Sequence, residues 1–273
     1  MKIAVLSGKG GTGKTFVSVN LACALHQADY VDCDVEEPNG HLFLRPESCT
    51  SLPVCVKLPS FDEMACTGCK ACVDFCHFNA LIYIRKKPIV FPEICHSCGG
   101  CQIVCPYGAI HEKDHEVGHV EMGFHGRVRC ITGWLNPSEV SGIPVIERAL
   151  EKADGEHVII DCPPGSACSV MESIQHADVC ILVAEASSFG FDNFKMVYEL
   201  ATLLHKPCFV IVNKWLEDYE PLETFCQENR LPILAKIPYT TNRASLLSQG
   251  HIAYEEDEQI RHIFDSILQE VGQ

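Results

Sequence analysis

An apolar strand running straight into a glycine-rich loop leaves this chain few folds to adopt. Lys2–Ser7 reads KIAVLS, Gly8–Thr15 reads GKGGTGKT, and Thr15–Gln27 follows with helical spacing. The pattern GxxxxGK[ST] between strand and helix turns successive backbone N–H groups inward around phosphate oxygens, and the helix start adds positive potential. Lys14 is thereby placed to bind the β- and γ-phosphates of a nucleotide, and Thr15 to ligate Mg²⁺. Gly8, Lys9, Gly10, Gly11, Thr12 and Gly13 supply the remainder of the cradle.

The rest of the chain extends this start. Ala28–Cys33, Val54–Leu58, His157–Asp161, Val179–Ala184, Pro207–Val212 and Leu231–Ile237 read as short apolar strands. Val140–Lys152, Phe191–His205 and Glu255–Val271 have helical periodicity. Strands alternating with helices predict an α/β domain with a mostly parallel sheet covered on both faces. In 273 residues there is room for a second, smaller unit.

That unit is written in cysteine. Cys66-x₂-Cys69-x₂-Cys72-x₃-Cys76 is followed by Cys95-x₂-Cys98-x₂-Cys101-x₃-Cys105-Pro106. Each run has the spacing that ligates a [4Fe–4S] cluster, and the fourth cysteine of each run ligates the other cluster. The ligand sets are then Cys66, Cys69, Cys72 and Cys105 for one cluster, and Cys95, Cys98, Cys101 and Cys76 for the second. Zinc knuckles use paired CxxC rather than two matched runs of this length. His77 stands where such a run ordinarily ends in proline, a residue that shapes the chain without binding iron. The segment resembles two-cluster bacterial ferredoxins. It predicts an inserted small α+β domain over 60–115, dividing the nucleotide domain into 1–59 and 116–273.

The loop is more specific than its general pattern. Lys9 in KGGTGKT resembles the deviant Walker A motif of the MinD/ParA/Mrp-type ATPases, a group that includes the nitrogenase iron protein. The resemblance implies ATP hydrolysis with Mg²⁺ in a nucleotide-gated homodimer, or a heterodimer with a related ATPase, in which Lys9 reaches the partner's nucleotide. DCDVEEPN at 32–39 is similar to the family's DxDxxxPN stretch, which implies that Asp34 positions the attacking water and Asp32 lies near Mg²⁺. HVIIDCPPG at 157–165 resembles its Walker B and switch II segment, in which Asp161 holds Mg²⁺ through water. Asn213 and Pro238 fall at positions that resemble the adenine-contacting loops. In the same family, the site alternates between ATP and ADP.

Cys162 and Cys168 flank the Pro163-Pro164-Gly165 turn, and two readings stand side by side. They hold a third, bridging cluster or metal at a dimer interface, or they are free core thiols. His111, His115, His119 and His125 read as a solvated connector, interrupted by Gly118 and Gly123.

A net charge of −15 speaks against a nucleic-acid surface. The acidic last helix, EEDEQIRHIFDSILQEV, is unlike a basic membrane-surface helix. No secretory signal is read at MKIAVLSGKG, and 18 cysteines suit a reducing, cytoplasmic setting. Three roles follow from the combination. The first is an ATPase for assembly or transfer of an iron–sulfur or other metal cofactor to a client metalloprotein. The second is an ATP-gated electron donor to a redox partner, and the third a positioning ATPase.

Overall fold

A computed structural model describes residues 1–85 and 87–272. At its centre, β1 (Lys2–Leu6) lies between β8 (Val158–Asp161) and β9 (Val179–Glu185), parallel to both. Ile3 and Val5 enter the core on one face, Ala4 and Leu6 on the other, and all are fully buried. This is the period-2 pattern of a strand covered on both sides. β2 (Ala28–Asp32) and β7 (Val128–Leu135) extend the sheet beyond β8, and β10 (Cys208–Trp215) and β11 (Ile233–Pro238) beyond β9.

One face packs on α1 (Lys14–Ala24), α10 (Ala253–Glu256) and α11 (Glu258–Val271). The other packs on α5 (Ile143–Glu151), α6 (Cys168–Ile174), α7 (Ser188–Leu203) and α8 (Glu220–Glu228). A short helix, α9 (Thr241–Ser248), precedes α10. The expected single C-terminal helix is broken at Asp257, whose carboxylate accepts from the N–H groups of Gln259 and Ile260 and so caps a new start.

The largest departure from expectation lies at the sheet's edge. After the short α2 (Gly40–Leu44), β3 (Glu47–Phe61) runs for 15 residues and pairs antiparallel with β6 (Ile110–His125), which spans 16. β6 then pairs antiparallel with β7, so the sheet order is β11-β10-β9-β1-β8-β2-β7-β6-β3. The histidine stretch is therefore a strand, not a solvated connector. His115 bonds Glu139 at 2.9 Å and His119 stacks on Trp134. Backbone pairing supplies the order that the side-chain pattern does not display.

Between Phe61 and Ile110 the chain leaves this ribbon and returns. It forms α3 (Ala71–Phe75), the hairpin β4 (Leu81–Ile84) and β5 (Lys87–Val90), and α4 (Gly100–Ile103). The hairpin is a separate two-stranded sheet. Among the described residues no helix is long and apolar enough to cross a membrane.

Candidate functional site

The loop after β1 lines a cleft of about 690 Å³ together with Asp34, Glu37, Pro163 and Pro164. Gly13, at φ 94°, lets the chain turn from this loop into α1. A Cβ at Gly13 would stand 2.1 Å from Asn213 Nδ2, which itself donates to the Thr12 carbonyl at 2.8 Å. Lys214 Nζ donates to the Gly11 carbonyl at 2.6 Å, and Thr12 Oγ1 to the Lys9 carbonyl at 2.8 Å. The loop is thus braced from β10 and from within.

Charge gathers at its base. Lys14 Nζ lies 3.0 Å from Asp161 Oδ1 and 3.8 Å from Asp34 Oδ2. Burial opposes the Lys14 ammonium, but Asp161, Asp34 and Asp32 outweigh it and raise its pKa. Asp32, at the end of β2, is fully buried and accepts from the N–H groups of Asn39 and Gly40 at 3.1 and 2.9 Å, and of Asp34 at 3.2 Å. Burial and then Asp161 push its carboxyl up to about 7, against the pull of Gly40 and Lys14. Burial likewise pushes Asp34 up to about 6, while Lys14 draws it down.

Tyr30 was not read from the sequence as part of this site. Its hydroxyl donates to Asp161 Oδ2 at 2.8 Å and lies 3.4 Å from Asp32 Oδ2. A tyrosine two residues before Asp32 shares its face of the strand, and that spacing was the available signal. Glu185 was missed too, for it stands far from the loop in sequence and pairs with Lys9 Nζ at 2.9 Å. Lys9 also lies 5.0 Å from the centre of the Phe189 ring. Pro238 closes β11, and its carbonyl accepts from Arg243.

The cysteines divide into two cavities. Cys66, Cys69, Cys72 and Cys105 line one with Tyr83 and Tyr107. Cys76, Cys95, Cys98 and Cys101 line the other with Phe75, His77 and Phe78. Gly68, at φ 75°, has no room for a side chain, since a Cβ would sit 2.1 Å from the Tyr83 hydroxyl. The Ala109 N–H points at Cys105 Sγ, 3.4 Å away. Burial raises the Cys72 and Cys101 thiols, and the nearby backbone N–H groups of Val73 and Gln102 oppose that rise.

Cys162 and Cys168 are not brought together as one surface site. Cys162 is fully buried in the core, with its thiol pushed far up by burial and by Cys33 and Cys180. Cys168 is exposed at the start of α6. The strand period explains this: Cys162 continues the inward face of Ile160, whose carbonyl accepts from its thiol at 3.8 Å.

Residues 3–252 match the CobQ/CobB/MinD/ParA nucleotide binding domain. The chain belongs to that family. It is 29% identical over 221 residues to the uncharacterized protein MJ0578 of Methanocaldococcus jannaschii, covering 78% of each chain. An iron-sulfur cluster carrier protein of Pyrococcus horikoshii is 55% identical over 42 residues, 14% of each chain. In fold the chain is similar to the septum site-determining protein MinD of Pyrococcus horikoshii, solved with Mg-ADP. That likeness has a TM-score of 0.62 and 19% identity, covering 100% of this chain and 96% of that one.

Proposed function

We propose that this family member hydrolyses ATP to drive assembly or transfer of an iron–sulfur or other metal cofactor, using two [4Fe–4S] clusters held in residues 60–115. One observation carries the reading. The ribbon bearing both cysteine cavities is bonded, through β7, to the loop that carries Asp34. The Leu135 N–H donates to the Val35 carbonyl at 2.9 Å, and the Asn136 N–H to the Val117 carbonyl of β6 at 2.9 Å.

The donor chemistry fits the groups implied. Four thiols face each cavity, with apolar or aromatic walls and backbone N–H groups near sulfur. Cys66, Cys69, Cys72 and Cys105 would hold one cluster, and Cys76, Cys95, Cys98 and Cys101 the other. When bound, these clusters supply one-electron chemistry. Thr15, Asp32 and Asp161 would hold Mg²⁺, which neutralises charge on the β- and γ-phosphates.

This chain's own residues do the rest. Gly8–Thr15 bind the phosphates, and Asn213 and Lys214 keep their loop in shape. Lys14 exchanges its carboxylate partners for phosphate oxygens, and Asp34, so released, orients the attacking water. Lys9 leaves Glu185 to reach the nucleotide of a second subunit, either another copy or a related ATPase. Asn213 and Pro238 would border the adenine. Motion of the Asp34–Val35 segment then pulls on β7 and on the ribbon beside it.

Transfer of iron and sulfide to an apo-protein, dependent on ATP turnover, is the expected result in an anaerobic assay. Electron transfer to a partner with unchanged iron content would instead establish the gated-donor reading, which the cysteine cavities also support.

A further inference from the structure

A third group of metal-binding side chains lies away from both the cleft and the cysteine cavities. Cys23 is in the last turn of α1, His125 ends β6, and Glu255 lies in α10. Their Sγ, ring-nitrogen and carboxylate-oxygen atoms all lie within 4.8 Å of one another. His125 Nε2 is 3.2 Å from Glu255 Oε1. We propose that these three residues bind one divalent transition ion of the Zn²⁺ class.

Each ligand is fixed by its own support. The Tyr254 N–H donates to Asn20 Oδ1 at 2.6 Å, tying α10 to α1 three residues before Cys23. His125 pairs with Val128 across the tight β6–β7 turn, so its backbone is held by the sheet. Tyr254 also packs against the His26 ring. Three segments distant in sequence are therefore brought to one point, with their donors already converging.

The chemistry selects the ion. A thiolate, an imidazole and a carboxylate form a Zn²⁺ donor set, whereas Mg²⁺ and Ca²⁺ prefer oxygen alone. Tetrahedral Zn²⁺ brings its ligand atoms to about 3–4 Å from each other, a small closure from their present spacing. Binding displaces the Cys23 thiol proton to solvent. Cys23 is 8% exposed, which shields the thiolate, while the exposed Glu255 leaves an entry route and an open fourth position. The site is at the opposite end of α1 from Lys14, about 13–14 Å along the helix axis. It would join the hairpin tip and the C-terminal helices to α1.

The test uses the full chain, purified anaerobically, exposed to Zn²⁺ and desalted. Zinc and iron are counted together, and zinc-edge X-ray absorption reports the ligands. We expect about one zinc per chain with a single sulfur neighbour. His125→Ala and Cys23→Ser should each lose that zinc and keep wild-type iron content and nucleotide binding. No retained zinc in the wild-type chain, zinc retained by both variants, or a four-sulfur shell marking zinc in the cysteine cavities would each overturn the proposal.

Discussion

The Leu135 backbone N–H bonds the Val35 carbonyl at 2.9 Å, joining the strand beside the cysteine-bearing ribbon to the loop of Asp34. The contact is tight on the side-chain side as well. A Cβ at Gly133 would come within 2.6 Å of Val35 Cγ1. Gly133→Ala should displace the Val35 segment and lower ATP turnover several-fold, with iron content unchanged. Steady-state hydrolysis and iron analysis of the purified variant check this.

Lys14 is held among carboxylates, so its removal acts twice. Lys14→Ala should abolish ATP binding. It should also destabilise the nucleotide-free protein by about 3–5 kcal/mol, because Asp161 then lies buried without its cation. Nucleotide titration and urea denaturation separate the two effects. Tyr30→Phe removes a buried donor from Asp161 and should cost about 1–3 kcal/mol.

The central strands and the phosphate loop were legible because their chemistry is local. KIAVLS and HVIID are apolar runs, and GKGGTGKT has one sensible geometry. The ribbon was not. IHEKDHEVGHVEMGFH mixes charged residues and histidines among its apolar ones without strict alternation, and β3 is mainly exposed along its first half. Its order comes from backbone pairing between residues as distant in sequence as Phe61 with Ile110 and Glu47 with Phe124, which no local periodicity reports. Val54–Leu58 was visible only because Val54 and Leu58 are its buried points. Tyr30 and Glu185 were hidden for a related reason: each acquires its role from a residue distant in sequence.

Asp32 and Asp34 set a pH dependence in the nucleotide-free protein. Their carboxyls are pushed from 3.8 up to about 7 and about 6. The folded state therefore holds these protons more tightly than the unfolded chain. Stability from this source is fully present below pH 3.8 and is lost as pH rises through about 6 to 7. Thermal melting of wild type against Asp34→Asn across this range should show a flatter profile for the variant.

The two cysteine cavities make a pairing test available. Cys66→Ser and Cys105→Ser should perturb the same cluster, although the residues belong to different runs. Each should reduce iron from about eight to about four per chain, and the double variant should lose no more. Loss of both clusters in the double variant alone would contradict the assignment.

Lys9 provides a separate test of assembly. Lys9→Ala should retain ATP binding by the single chain but lose ATP-dependent association and turnover. Light scattering with and without a non-hydrolysable ATP analogue reads this directly.

Linkage offers the most direct test of coupling between the nucleotide and the clusters. The measurement is the midpoint potential of the clusters with and without Mg²⁺ and a non-hydrolysable ATP analogue, paired with nucleotide affinity in oxidised and reduced protein. The two shifts must agree in sign and free energy if the sites communicate. A potential shift of tens of millivolts, matched by a several-fold change in affinity, is the expected result. Identical potentials and identical affinities in all states would contradict the account.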